Sequence, residues 1–460
     1  MEEIIGEEQL QYHKMVSSPV PGLIGKLAAP TIVSMLVTAA YNTADTYFVS
    51  RLGTSATGAV GIVFAMMTMI QAIGFTVGMG SGSLMSRALG RRDKAMANRI
   101  ASSGFALALA LGLSMMVLGL LFNRPLMNLL GATPTILPYS EDYARWIFFG
   151  APLMCCSFLM NNLLRAEGRA TLSMIGLGIG GILNIALDPL FIFVFKMGIA
   201  GAAQATVLSQ CVSFSILLAM FLSRRSISRL RPASVSRSAW IYLDIMRNGA
   251  PTFSRQSLAS AATTSLNHMA SHYGDAAVAA MSIVNRLFML ILASLLGFGQ
   301  GFQPVAGYNY GAGRFDRVRA AYFFCVRTGT IWLTAIGALA FAFAPEVVAS
   351  FRDDPEVVTI GATALRAQCI ALPLQATIMI TNMVLQSTGK SLPATILSMC
   401  RQGIFFLPLI FILPLRFGLF GVEITQSVAD ALSFLCCFPF IIPFLRELKR
   451  KWKDRAKPAA

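Results

Sequence analysis

Charge is what this chain has least of. Asp, Glu, Lys and Arg make up 13% of its 460 residues, against the roughly one quarter that covers the surface of a soluble protein. A water-facing fold of this size is thereby excluded, and a mean hydropathy of +0.65 makes lipid the solvent. No polar stretch long enough for a large soluble domain remains. Metal-ligand spacing is missing too. The eight cysteines lie inside apolar runs, two as adjacent pairs (Cys155 with Cys156, Cys436 with Cys437), and are expected to be small membrane-facing side chains. His268 and His272 stand at i, i+4 with no third ligand, so no metal is expected. Met1 to Lys14 lacks the basic region and small-residue cleavage site of a signal peptide, carrying Glu2, Glu3, Glu7 and Glu8 instead, so the first apolar helix is expected to stay. No nucleophile and base stand at a spacing usable for an intramembrane enzyme, so neither catalytic residues nor a cofactor are expected.

What the chain does have is a succession of apolar runs of roughly twenty residues, each long enough to cross a hydrocarbon core of about 30 Å. They predict an all-α integral membrane protein of about twelve transmembrane helices: 23–49, 58–84, 100–122, 142–164, 172–195 and 199–222, then 246–271, 279–305, 322–344, 364–386, 393–415 and 419–444. A net charge of +16 would suit nucleic acid, but the clusters of basic residues fall between apolar runs, each after an even-numbered one. Arg87, Arg91, Arg92, Lys94 and Arg99 follow the second run, and Arg224, Arg225, Arg229, Arg231 and Arg237 the sixth. Arg314, Arg317 and Arg319 follow the eighth, and Arg446 to Lys457 the last. The alternate loops are poor in Lys and Arg, and Arg352 to Glu356 is net acidic. The positive-inside rule then places both termini in the cytoplasm of a multi-pass cell (inner) membrane protein, with lipid rather than nucleic acid as its surroundings.

The chain is duplicated. At an offset of 221, Ala29 to Val63 aligns without a gap on Ala250 to Val284 with 11 identities in 35, among them Pro30 with Pro251 and Gly53 with Gly274. The same offset pairs Arg145 with Arg366, Pro152 with Pro373, Asn161 with Asn382 and Gly168 with Gly389. Six spans per half make the two halves enter the membrane in the same direction, as parallel repeats with a central cavity between lobes. The expected organisation is a cytoplasmic tail 1–22, an N-lobe 23–222, a cytoplasmic linker 223–245, a C-lobe 246–445 and a basic tail 446–460.

Ionisable residues within apolar spans are expensive, which makes each a candidate functional group. In the first half these are Asp45, one turn after Tyr41, and Asp188, one turn after Asn184. Counting from the outer loops puts them roughly 8 and 12 Å deep, so that they share a layer. Two carboxylates in a poorly hydrated site do not both ionise cheaply, which makes the pair a proton site. The same oxygens, with Asn184 and the Thr206 hydroxyl, could instead hold sodium. Asp45 falls opposite Leu266 in the repeat and Asp188 opposite Pro408, so the cation site is confined to the first lobe. The second half carries its own polar set: Arg255 and Gln256 in helix 7, Arg286 in helix 8, Arg401 and Gln402 in helix 11, and Glu423, Gln426 and Asp430 on one face of helix 12. Comparable depth makes Arg286 with Asp430 the expected ion pair, and the set takes either a structural or a substrate role. Pro30 removes a backbone hydrogen bond within helix 1 and offers a bend there. Gly78, Gly80 and Gly82 end a membrane helix and suit close helix packing.

With these residues in view, the chain resembles the multidrug and toxic compound extrusion (MATE) family over almost its entire length. The resemblance is carried by Ala29-Pro30 through Tyr41-Asn-Thr-Ala-Asp45 to Arg51-Leu-Gly53, by Gly90-Arg-Arg-Asp93, by Leu163-Leu-Arg-Ala-Glu-Gly-Arg169, and by Asn184 to Phe193 followed by Gly201 to Thr206. It implies a cation-coupled antiporter, driven by protons or sodium, that exports small amphipathic and often cationic drugs or metabolites by alternating access as a monomer. It is most similar to the bacterial branch with a first-lobe cation site, whose positions fall on Asp45, Asn184, Asp188 and Thr206, with Tyr41 beside them. Glu423 departs from the aromatic or neutral residue expected there. The alternative reading is a lipid-linked saccharide flippase of the same broad superfamily, for which Arg255, Arg286 and Arg401 would line a cationic cavity; the paired acids argue against it.

Overall fold

The computed structural model describes residues 2–223 and 225–456. Arg224 and Lys457, counted above among the basic loop residues, lie outside them, as do the side chains of Glu2, Glu3 and Glu7. All regular structure among the described residues is helical. The first half comprises α1 (Glu2–Ser17), α2 (Val20–Ser50), α3 (Thr54–Gly90), α4 (Lys94–Leu121), α5 (Asn123–Leu129), α6 (Leu137–Ala166), α7 (Ala170–Pro189, continued as a π-helical turn Leu190–Val194) and α8 (Gly198–Leu222). The second comprises α9 (Ala239–Ser271), α10 (Asp275–Gly311), α11 (Phe315–Ala342), α12 (Ala344–Ala349), α13 (Pro355–Ser387), α14 (Ser391–Met399), a π segment Cys400–Phe406, α15 (Leu407–Phe417) and α16 (Leu419–Ala456).

Among the described residues, eleven spans are long and apolar enough to cross a membrane. The twelfth position in the repeat is filled by α9, whose 33 residues are ample in length but interrupted by Asp244, Arg247, Asn248, Arg255 and Gln256. The halves share fine detail. Short helices α5 and α12 follow the third span of each. Asn161 Nδ2 donates to Ser173 O at 2.9 Å, and its repeat partner Asn382 donates to Ala394 O at 2.7 Å, so each half fastens one span to the next by the same bond.

Three expectations need correction. The stretch 1–22 is not simply a tail, because α1 docks on both halves. On the first, Gln11 Nε2 donates to Glu167 O at 3.0 Å, Glu8 pairs with Lys94, and the Arg92 guanidinium lies 4.3 Å from the Tyr12 ring centroid. On the second, Asn309 Nδ2 donates to Met15 O at 3.1 Å and Arg317 donates to Ser18 O. The basic stretch from Arg446 is likewise the end of α16, held on the α10–α11 turn by Lys451 to the Tyr310 hydroxyl and Arg455 to Ala312 O. Six of the eight cysteines are buried in helix contacts rather than facing the membrane, because a thiol is small enough to fill them.

The linker is fastened to the first half. Glu167, fully buried at the turn after α6, accepts from Ser226 Oγ at 2.8 Å, Ile227 N at 2.9 Å and Ser228 N at 2.8 Å. Burial pushes its carboxyl above the ordinary glutamate range, and these donors pull it back. Asn98 Oδ1 accepts from Arg229 N, Ser102 Oγ from Arg231 N and Ser103 Oγ from Ser236 N, all on α4.

The halves meet where α2 packs on α10 and α3 packs on α9 and α10. Glycine makes this approach possible. A Cβ at Gly80 would lie 2.0 Å from Ile245 O, one at Gly249 2.2 Å from Thr76 O, and one at Gly90 2.2 Å from Tyr308 O. Gly78 and Gly82 face the other way, onto Asn162 and Ala166 of α6. These glycine contacts lie in the half of each helix nearest the basic loops. Polar bonds close the same end: Ser83 Oγ to Gln386 O at 3.3 Å, Arg87 Nη2 to Asn248 Oδ1 at 3.2 Å, and Arg165 to Gln300 Oε1.

Candidate functional site

Pro189 carries no amide hydrogen, and α7 widens into the π turn Leu190–Val194 immediately after it. Asp188 therefore sits at the last α-helical turn, with Asn184 one turn earlier on the same face. Asn184 Nδ2 lies 3.2 Å from Asp188 Oδ1 and 3.2 Å from Thr206 Oγ1 on α8. Asp45 stands on α2, which packs against α7. Asp188 is 0% exposed and Asp45 8%. Tyr41, also buried, lays its ring against Gly181 of α7, where a Cβ would come within 3.1 Å of the ring.

Tyr143 on α6 was not foreseen. Its hydroxyl donates to Asp45 Oδ2 at 3.3 Å, so it ties α6 to the α2 portion of the cluster. The signal was available in the repeat, since Tyr143 falls opposite Ala364, the same loss of polarity that marks Asp45 and Asp188.

Three buried oxygens of this cluster have no hydrogen-bond partner among the described residues: Asp45 Oδ1, Asp188 Oδ2 and Asn184 Oδ1. Unmet acceptors in the interior are rare and costly. The donors around the two carboxylates are neutral, a phenol and an amide. Two acidic oxygens, an amide oxygen and the Thr206 hydroxyl form a set of hard oxygen ligands suited to a proton or a small monovalent cation.

The second-lobe residues divide. Asp430 Oδ1 accepts from Arg401 Nε and from Gln426 Nε2, each at 2.8 Å. The expected partner Arg286 is instead exposed, and Asp430 Oδ2 makes no hydrogen bond. Depth was comparable, but rotation about the helix axis decides, and the π segment Cys400–Phe406 sets Arg401 facing α16. Glu423 is buried on the same helix as Gln426 and Asp430, while Gln402 Oε1 is buried without a partner. Arg255 is half-buried on α9, and Gln256 is half-buried beside it. Helix α2 runs unbroken through Pro30, with Thr31 Oγ1 donating back to Leu27 O at 2.6 Å. His268 and His272 are exposed, their ring centroids 5.0 Å apart.

Comparison with known proteins follows the same geometry. The family model described as MatE matches residues 30–190 and again 251–412, beginning at the equivalent prolines Pro30 and Pro251. The multidrug export protein MepA of Staphylococcus aureus (strain MSSA476) is 27% identical over 444 residues, covering 96% of this chain and 97% of its own. Its counterpart in Staphylococcus saprophyticus is 25% identical over 442 residues, with the same coverage of 96% and 97%. A solved outward-facing multidrug resistance MATE family transporter superposes with a TM-score of 0.90 at 28% identity, over 95% of this chain and 98% of that one. The flippase alternative gains no support from these likenesses.

Proposed function

Because this chain belongs to the MatE family of multi-pass membrane transporters, we propose that it exports small amphipathic, often cationic, drugs or metabolites in exchange for a cation bound at Asp45, Asn184, Asp188 and Thr206, with Tyr41 and Tyr143 around them. The observation that carries this reading is the set of unpartnered buried oxygens on Asp45, Asp188 and Asn184. Such groups favour whichever state of the protein lets a proton or sodium satisfy them, and differential binding to two states is what a coupling ion requires. The two lobes alternate access to the cavity between them, and the end closed by α3, α9 and α10 is the cytoplasmic one, with both termini on that side. In this reading the closed basic end is the outward-facing arrangement, and the transporter works as a monomer in the cell membrane.

The test is dye extrusion from cells expressing Asp45→Asn or Asp188→Asn. Each is expected to abolish efflux of a cationic dye without lowering membrane abundance. Unimpaired efflux in both variants overturns the proposal. Proteoliposomes given a pH gradient or a sodium gradient separately identify the coupling ion.

A further inference from the structure

Arg165, at the end of α6, is a charge without a counter-charge. Its residue is 4% exposed, yet its guanidinium is held only by two neutral acceptors, Asn162 Oδ1 in its own lobe and Gln300 Oε1 across the seam on α10. No carboxylate lies within ion-pair distance among the described residues. Among the other buried ionisable groups, Asp430 pairs with Arg401 and Glu167 is held by three donors. The carboxyls of Asp45, Asp188 and Glu423 can be neutralised by a proton, a route closed to a guanidinium. A guanidinium presents five N–H donors, of which amide oxygens here take two. Removing a cation from water costs several kcal/mol unless an opposite charge restores it.

Beside Arg165 lies a cavity of about 30 Å³, lined by Ser83, Ser86, Asn162, Gln300, Gln303 and Ser387 among others. One water needs about 10–15 Å³ by the same measure, so the space takes two or three waters or one small ion beside the guanidinium. Its walls come from α3 and α6 of the first lobe and from α10 and α13 of the second. The serine hydroxyls now donate to helix carbonyls, as Ser86 Oγ does to Ser83 O at 3.1 Å and Ser387 Oγ to Val384 O at 3.1 Å, and rotation about a single bond redirects them inward.

We propose that Arg165 anchors a chloride site in the seam between the lobes, completed by Gln300, Gln303 and the lining serines. An anion there is gripped from both lobes at once, and it leaves when the seam opens. Chloride is therefore a ligand of the closed basic end, shifting the equilibrium between the two lobe arrangements by its differential affinity. This holds whichever cation drives transport and whatever is exported.

The whole protein in lipid nanodiscs, titrated with sodium chloride against sodium gluconate at constant ionic strength, is expected to show a saturable rise in melting temperature with chloride only. Arg165→Gln is expected to abolish the rise. Should that variant fail to fold, Gln303→Ala and Ser86→Ala are expected to raise the half-saturating chloride by about fivefold, the loss of one hydrogen bond of about 1 kcal/mol. Crystals grown in bromide should give an anomalous peak within hydrogen-bonding distance of Arg165. Identical melting curves in the two salts, or a seam holding water alone with no bromide peak, overturn the proposal.

Discussion

The Tyr143 hydroxyl on α6 donates to Asp45 Oδ2 on α2 at 3.3 Å, joining two spans that lie 98 residues apart in sequence. Tyr143→Phe keeps the ring and its packing while removing this donor. Hydrogen bonds to charged groups contribute about 1.5–3 kcal/mol, and this donor favours the ionised carboxylate. Apparent cation affinity in proteoliposomes is therefore expected to shift by about tenfold or more, upward where the cation is a proton, with abundance unchanged. Wild-type cation dependence in Tyr143→Phe would show that the bond is incidental.

The pair Arg401 with Asp430 makes a prediction about stability rather than transport. With side-chain exposures of 17% and 1%, losing one partner leaves the other charged and buried, a cost of about 3–5 kcal/mol. Asp430→Ala alone should lower the melting temperature in detergent markedly, whereas the double replacement Arg401→Met with Asp430→Leu should recover most of it. Equal loss in single and double variants would mean that the two residues act separately.

The glycine contacts predict a conformational bias. A methyl at Gly80 would stand 2.0 Å from Ile245 O, a backbone atom that has no rotamer to retreat into. Gly80→Ala is expected to force the seam apart, measured as a longer mean distance between spin labels placed on α3 and α9 at the basic end. An unchanged distance distribution would place the yielding elsewhere.

Helix α1 spans the same seam on its outer surface, tied to the first half at Glu167 O and to the second at Asn309 and Arg317. Removing residues 2–17 is expected to increase the alkylation rate of a cysteine placed at Ser86, which is buried in the full chain. Arg317→Ala should have the same effect in smaller measure. No change on truncation would make α1 a passenger.

The helical scaffold was legible in the sequence because apolar runs and matched prolines and glycines are local signals, and the acids Asp45 and Asp188 stood out because charge is scarce in an apolar run. What escaped was of a different kind. Tyr143 escaped because an aromatic residue in a membrane helix is unremarkable without its neighbours in space. Arg286 was matched to Asp430 on depth alone, and depth does not give rotation about the helix axis, which the π segment at Cys400–Phe406 resets. Helix α1 is polar with only a few apolar residues, so its docking depends on partners such as Lys94, Asn309 and Arg317 that are far away in the chain. Arg165 lay inside a quoted motif, but that it has no counter-charge can be seen only once the lobes are assembled.

The fastening of the linker to the first lobe has a mechanical consequence. Its last anchor is Ser236 N on Ser103 Oγ at 2.9 Å, and α9 begins three residues later at Ala239. The covalent join thus belongs to the body of the first lobe. The Tyr242 hydroxyl, donating to Ser236 O at 2.7 Å, carries that hold into the base of α9, so a rotation of the second lobe would turn about this end of the helix. From there α9 extends as a rod of 33 residues, about 50 Å at 1.5 Å per residue, so a turn of about 10° at its base sweeps its far end through about 9 Å. A small adjustment beside Ser103 is thereby geared up to the width of a helix at the opposite face.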